Sequence, residues 1–259
     1  MQTLITVSFV GTRYHGFQVQ KNSMSICEAL QNSMEKIYGC RPDIKGSSRT
    51  DAGVHAIGFR VCFTQPKPIK MIKLPLSLNQ YLPPDIRVQK AEEVCDEFHV
   101  RYDAVTKEYI YRILNSPVDD PFMHNQCWRV GGVIDEEMMS RAACYIVGRH
   151  DFASFMSAGS DITDTVREVQ FCNVKREGRY ITVHISADGY LYNMVRIIVG
   201  TIKEVGTGHR APEDVKAILE GKSRINAGDT APACGLYLYK VNYQENYKPL
   251  PHPPKGTSV

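Results

Sequence analysis

No two of the eight cysteines in this chain stand close enough to form a C-x-x-C pair: they fall at Cys27, Cys40, Cys62, Cys95, Cys127, Cys144, Cys172 and Cys234. That spacing argues against a zinc site or a disulfide framework. Apolar settings such as Phe59-Arg60-Val61-Cys62-Phe63 point to free buried thiols in a reducing cytosol. No apolar run is long enough to span a membrane. The start, Met1-Gln2-Thr3-Leu4-Ile5-Thr6-Val7, has no basic segment ahead of its apolar residues and does not read as a signal peptide. A cytoplasmic protein with no membrane partner is expected. G-x-S-x-G and H-E-x-x-H are both missing, and His55, His124, His150, His184 and His209 show no metal-ligand spacing, so no metal is expected. Gly221-Lys222-Ser223 lacks the upstream glycine of a P-loop. Gly206-Thr207-Gly208-His209-Arg210-Ala211 has the spacing of a dinucleotide fingerprint, but it follows a helical pattern rather than a strand, and it reads as a helix C-cap. No low-complexity tract or charge block interrupts the chain.

What remains is a 259-residue chain of ordinary globular composition with a net charge of +3. That length supports one large domain or two of ordinary size. The mildly basic balance permits a nucleic-acid partner without requiring one.

The periodicities describe one architecture written twice. Residues 4–10 read as a strand. Ser25-Ile26-Cys27-Glu28 is a capping-box pattern, and Ile26, Leu30, Met34 and Ile37 recur at helical spacing up to Gly39. A short strand near Ile44, a strand at 59–63, a helix over 69–82 interrupted at Pro75 and a strand at 86–91 complete a β-α-β-β-α-β order. In the second half, 107–114 alternates as a strand and Asp135 caps a helix that ends at Gly148. Residues 166–175 and 179–187 form a hairpin around Glu177-Gly178. Residues 192–205 form a strongly apolar helix, Pro212 starts another, and 236–243 is the closing strand. The fold class expected is α+β, with two tandem ferredoxin-like units over 1–104 and 105–245, the second with a helical insertion. Joining them edge to edge would give a shared, largely antiparallel sheet with a central cleft along one face. Residues 246–259, with few anchors, read as an extended tail.

The stretch richest in chemistry is Ser48-Arg49-Thr50-Asp51-Ala52-Gly53-Val54-His55-Ala56. It suits neither a helix interior nor an alternating strand, and it reads as a rigid loop presenting Asp51. A lone Asp before a glycine turn is commonly a turn residue. The whole nonapeptide, however, closely resembles the catalytic loop of the TruA family of tRNA pseudouridine synthases. Further blocks resemble the same family in the same order: 11–20 (GTRYHGFQVQ), 98–104 (FHVRYDA) with 107–111 (KEYIY), 148–155 (GRHDFASF), 189–200 (GYLYNMVRIIVG) and 233–236 (ACGL). Two departures are Asn193, where many relatives carry His before Met-Val-Arg, and Arg101-Tyr102, where Phe or Ser often follows the arginine.

The resemblance implies an isomerase that converts uridine to pseudouridine at positions 38 to 40 of the tRNA anticodon stem-loop. Uracil is detached from ribose C1′, turned and rejoined through C5. No redox change occurs and no group is added, so no cofactor is required. By resemblance Asp51 is the nucleophilic aspartate, whether it adds to C6, attacks C1′ or deprotonates the sugar. Arg196 supplies the counter-charge that keeps a buried carboxylate ionised, and its place in an apolar helical run fits a guanidinium reaching for an anion. Tyr109 stacks on the flipped base, Leu236 forms an apolar wall, and Arg49 touches RNA phosphate or braces the loop. The resemblance also implies a homodimer in which one subunit grips the tRNA body. Arg13, Lys21, Lys67, Lys70, Arg149, Arg167, Lys203 and Arg210 are the cations available to track phosphates. Two other readings compete: an RNA-binding module without catalysis, and a glycoside hydrolase, for which Asp51 lacks an obvious carboxylate partner.

Overall fold

Residue patterns dictate the first elements closely. The structure, a computed structural model, describes residues 2–21 and 23–247. Strand β1 (Gln2–Phe9) leads to helix α1 (Ile26–Tyr38). Ser25 caps that helix, its hydroxyl accepting from the Glu28 N–H at 3.1 Å, and Gly39 ends it in the left-handed region at φ 74°. Strands β2 (Lys45–Gly46) and β3 (His55–Phe63) follow, then helix α2 (Leu74–Asn79) and strand β4 (Ile86–Val94). The expected break at Pro75 is absent: the proline occupies the first turn of α2, where its missing N–H disturbs nothing. The expected helix over 69–82 shrinks to this shorter one.

Among the described residues these elements belong to one compact unit, made of 2–105 and 237–247; 106–236 form the other. In the first unit β1 lies between β4 and β3, antiparallel to both, and β2 pairs antiparallel with β3. Opposite pairs such as Val7–Phe59 and Ile5–Val61 set one buried face. Tyr38 of α1 meets Phe63 on that face with ring centroids 6.5 Å apart. The other face buries Leu4, Cys62, Val94, Phe98 and Val100, with Tyr243 packed against them.

The second unit contains β5 (Ala104–Asn115), β6 (Trp128–Val130), α3 (Glu136–Cys144), β7 (Gly148–Asp151), β8 (Val166–Glu177), β9 (Tyr180–Ala187), α4 (Met194–Gly206) and α5 (Asp214–Gly221). Its sheet runs β5-β9-β8-β7, antiparallel throughout, with β6 parallel beside β5. Asp135 caps α3 as expected, accepting from the N–H groups of Glu137 and Met138. Gly178 turns the β8–β9 hairpin at φ 59°. Helix α5 begins two residues after Pro212 rather than at it. The short strands β6 and β7 carry no periodicity long enough to read.

The final strand, β10 (Leu236–Tyr243), occupies the expected span. From Tyr237 it belongs to the first unit, pairing in parallel with β3 at Tyr237–His55 and Leu238–Ala56. The sequence reading gives this strand to the second unit, because strand order along the chain says nothing of the partner. The expected tail 246–259 lies outside the described residues beyond Tyr247. Its first two residues fall in the short 3-10 turn Glu245–Tyr247, and the Tyr247 hydroxyl donates to Glu92 at 2.6 Å and accepts from Arg60 at 2.8 Å. All eight cysteines are free, but not all are buried: Cys40 and Cys144 are exposed. Burial pushes the Cys27 and Cys62 thiols up to about 11 and Cys172 up to about 12. Among the described residues no helix is long and apolar enough to cross a membrane, and no group of three or more His, Cys, Asp or Glu could hold a metal ion.

One close approach fixes α4. A Cβ added at Gly200 would lie 1.8 Å from the Asp229 carbonyl oxygen, so only glycine lets the helix meet the 228–231 backbone. The Ala231 N–H donates to the Arg196 carbonyl at 3.1 Å in the same contact. Gly200→Ala is therefore expected to destabilise the protein by about 3 kcal/mol, at the upper end of ordinary overpacking. Thermal unfolding of the purified variant checks this, and an unchanged midpoint contradicts it.

Candidate active site

Asp51 sits on the loop between β2 and β3. Ser47 anchors the loop's entry: its N–H donates to the Arg60 carbonyl at 2.9 Å, and its hydroxyl accepts from the Arg60 N–H at 3.2 Å. The Val54 N–H then closes a turn on the Asp51 carbonyl at 3.2 Å, with Gly53 at φ 78°. Asp51 is half-buried at the crest of this turn, whereas Arg49 and Ala52 are exposed.

A second segment, residues 11–17, forms one wall of the loop. The Tyr14 carbonyl accepts from the Gly53 N–H at 3.2 Å, and the Thr50 carbonyl accepts from the Phe17 N–H at 3.4 Å. A Cβ on Gly11 would stand 1.9 Å from the Val54 carbonyl oxygen, and one on Gly16 would stand 2.3 Å from that of Thr50. Two glycines therefore let this wall touch the Asp51 loop backbone to backbone. Phe17 stacks on Phe59 at 4.5 Å and lies against Gly46, which fixes the far end of the wall. The Gly-x-x-x-x-Gly spacing is visible in the sequence; its target is not.

The other nominated residues lie in the second unit. Tyr109 is on β5, almost wholly buried and opposite Ile185 of β9. Its ring meets Tyr190 edge-on, centroids 5.0 Å apart. The Tyr190 hydroxyl donates to the carbonyls of Lys107 and Ile185 at 2.9 and 3.2 Å, and burial holds its ionisation well above the usual phenol range. Tyr190 thus braces Tyr109 from the side, a role the sequence reading does not foresee.

Arg196 is on the first turn of α4. Its Nε donates to the Ala231 carbonyl at 2.7 Å and its Nη1 to the Asn193 Oδ1 at 2.8 Å. Asn193 takes the left-handed conformation at φ 62° just ahead of the helix, where asparagine is among the few tolerated residues, and its Nδ2 donates to the Ser157 hydroxyl at 3.0 Å. Asn193 thereby helps orient the guanidinium. Leu236 is buried at the start of β10. The preceding loop is held by Tyr111, whose fully buried hydroxyl donates to the Pro232 carbonyl at 2.7 Å and whose ring lies 2.5 Å from where a Gly235 Cβ would be. Tyr111 is the support of that loop.

The nominated cations differ in freedom. Arg13 is paired with Asp85 at 2.7 Å, whose hydrogen bond and charge hold it above its usual value. Arg210 is paired with Glu204 at 2.5 Å, and Lys203 lies over the Trp128 ring at 5.5 Å. Arg167 donates to the Asp164 carbonyl at 3.0 Å. Lys21, Lys67, Lys70, Arg149 and Arg49 are exposed or partly exposed and make no ion pair with the described residues.

Comparison with known proteins gives a consistent picture. A family model described as tRNA pseudouridine synthase matches residues 5–103 and 142–244. A tRNA pseudouridine synthase A of Thermoanaerobacter sp. (strain X514) is 44% identical over 240 residues, covering 93% of this chain and 98% of that protein. A tRNA pseudouridine synthase A 2 of Clostridium tetani is 40% identical over 241 residues, covering 92% and 97%. A tRNA pseudouridine synthase A of Bacillus pumilus is 39% identical over 247 residues, covering 94% and 99%. Among solved structures, the archaeal box H/ACA sRNP Nop10–Cbf5 complex aligns at 11% identity with a TM-score of 0.33, over 78% of this chain and 44% of that one, too weak a likeness to bear on the fold.

Proposed function

The chain belongs to the tRNA pseudouridine synthase family, an isomerase family, and on that premise we propose that it isomerises uridine at positions 38 to 40 of the tRNA anticodon stem-loop, with Asp51 as nucleophile and the target base flipped out of its stack. The observation that carries this reading is the Asp51 loop: a carboxylate at the crest of a turn held through its backbone by the 11–17 wall.

The reaction breaks the N1–C1′ bond and forms C5–C1′; the C5 hydrogen leaves as a proton and N1 gains one. Atoms and electrons balance without a cofactor. What the chain must supply is an ionised carboxylate, a grip on the base and exclusion of water. Asp51 provides the first by adding to C6, attacking C1′ or deprotonating the sugar. Arg196 is its counter-charge, pre-oriented by Ala231 and Asn193. Tyr109 is the platform for the base, Leu236 its apolar wall and Arg49 a phosphate contact. We extend the proposal to two tandem ferredoxin-like units with a shared sheet and an RNA cleft, working as a homodimer in the cytoplasm; the oligomeric state is read by light scattering.

Base-specific mapping of pseudouridine in total tRNA, with and without the gene, tests the target. Loss of the modification only at 38 to 40 is expected; loss at other positions alone redirects the assignment. Tyr109 has its own test. Stacking a base on an aromatic ring contributes ~1–3 kcal/mol. Tyr109→Leu should therefore lower kcat/KM about tenfold to a hundredfold, whereas Tyr109→Phe keeps the stack and loses only the hydroxyl. Undiminished turnover in the leucine variant places base stacking elsewhere.

A further inference from the structure

His55 opens β3, four residues after Asp51, and is fully buried. Its Nδ1 accepts from the Gly11 N–H at 2.9 Å, a bond that puts the ring proton on Nε2. Its ring lies against Tyr237, centroids 4.7 Å apart. Gly11 begins the 3-10 turn Gly11–Arg13, whose closing bond runs from the Tyr14 N–H to the Gly11 carbonyl at 2.9 Å. Tyr14 in turn accepts from the Gly53 N–H, two residues past Asp51. An unbroken path of short bonds thus runs from the imidazole through Gly11 and Tyr14 to the crest of the Asp51 turn. The opposite side of Gly11 has no slack, since its Cα faces the Val54 carbonyl at a distance that admits no Cβ.

We propose that His55 is a positioning residue for Asp51: its neutral imidazole, by accepting from Gly11, holds the 11–17 wall and so fixes the angle at which the carboxylate is presented. The proposal rests on Asp51 being the reacting carboxylate. Nothing in it requires His55 to touch RNA. The wall is built on β1 and the loop on β3, and the imidazole is a side-chain bond from one to the other at the point where the two strands part. A buried N–H deprived of its acceptor does not stay where it is. It tilts toward another partner, and Tyr14 and Gly53 move with it. A carboxylate displaced by a fraction of an ångström still lets RNA bind but lowers the rate of the chemical step.

Two substitutions separate the hydrogen bond from the ring. His55→Asn keeps an acceptor, because Oδ1 stands where Nδ1 stood, and discards the ring packed on Tyr237. His55→Phe keeps the ring and discards the acceptor; if that variant does not fold, His55→Gln is set against His55→Asn, both lacking the ring, since its amide reaches past Nδ1 to the place of Nε2 and leaves Gly11 without its acceptor. Single-turnover pseudouridine formation and tRNA affinity are measured for each, beside Asp51→Asn. The expected result is a rate at least tenfold down for His55→Phe with affinity within threefold of wild type. The rate for His55→Asn is expected within threefold of wild type even though its melting temperature falls. A wild-type rate in His55→Phe overturns the proposal, and so does an asparagine variant as slow as the phenylalanine one, which would assign the effect to ring packing. Full activity of Asp51→Asn would instead remove the reading on which the proposal stands.

Discussion

Asp51→Asn is expected to yield a folded protein that binds tRNA and forms no detectable pseudouridine. The side chain is nearly isosteric, and the loop is held by backbone groups that the substitution leaves alone: the Asp51 carbonyl still accepts from Val54, and Gly53 still donates to Tyr14. The variant should therefore still fold, with a tRNA dissociation constant close to wild type. What disappears is the negative charge and the nucleophilic oxygen. Losing a residue that acts covalently or as the sole base lowers kcat by about four orders of magnitude or more. The same variant separates the competing readings. An RNA-binding module without catalysis would show wild type and variant alike, with neither modifying RNA. A glycoside hydrolase would release free uracil from wild type.

The second large effect concerns Arg196. Removing its charge while keeping an unbranched stem, as in Arg196→Met, should lower activity at neutral pH about a hundredfold to a thousandfold, the scale set by loss of a desolvated charge partner. The sign of the pH dependence follows from the chemistry. On the proposed reading the reacting carboxylate works ionised, and a carboxylate that loses a nearby cation ionises at higher pH. Activity of the methionine variant should therefore rise with pH over a range in which wild type is already level. Arg196→Lys tests the other half of the role. Lysine keeps the charge but gathers it on one nitrogen, without the planar fork whose Nε and Nη1 reach the Ala231 carbonyl and the Asn193 amide oxygen at 2.7 and 2.8 Å. Its activity should fall between the two. A methionine variant with the wild-type pH profile would mean that Arg196 does not serve the carboxylate.

How much of this was legible in the sequence depends on whether the signal is local. Helix α1 was readable at both ends, because Ser25 and Gly39 mark its caps and its apolar positions repeat at helical spacing. The β8–β9 hairpin was readable from its alternation and Gly178, and α4 from its apolar run. Helix α2 was misread because a proline inside a run of helical spacing reads as a breaker, although Pro75 stands in the helix's first turn. The parallel pairing of β10 with β3 has no local signature at all; it joins residues nearly two hundred positions apart, Tyr237 and His55.

The site divides in the same way. Asp51 announced itself because its neighbours form a motif. Its supports did not. Gly11 and Gly16 are unremarked glycines until their approach to Val54 and Thr50 is seen, and His55 reads as a packed histidine until its bond to Gly11 is seen. Asn193 was noticed only as a departure from pattern, and its left-handed backbone together with its bond to Arg196 explains it. Motifs report the groups that do chemistry. Close backbone approaches and tautomer-fixing bonds are three-dimensional, and they hold those groups in place.

The central claim is that this chain moves the ribose attachment of uridine from N1 to C5, with Asp51 essential. Each turnover expels the C5 hydrogen, so tRNA transcribed with tritium at uridine C5 gives the most direct test. Wild type should release tritium to water in step with pseudouridine appearing in the anticodon stem-loop, while Asp51→Asn releases none. Tritium release undiminished in the asparagine variant, or none from wild type on any tRNA, would contradict the account.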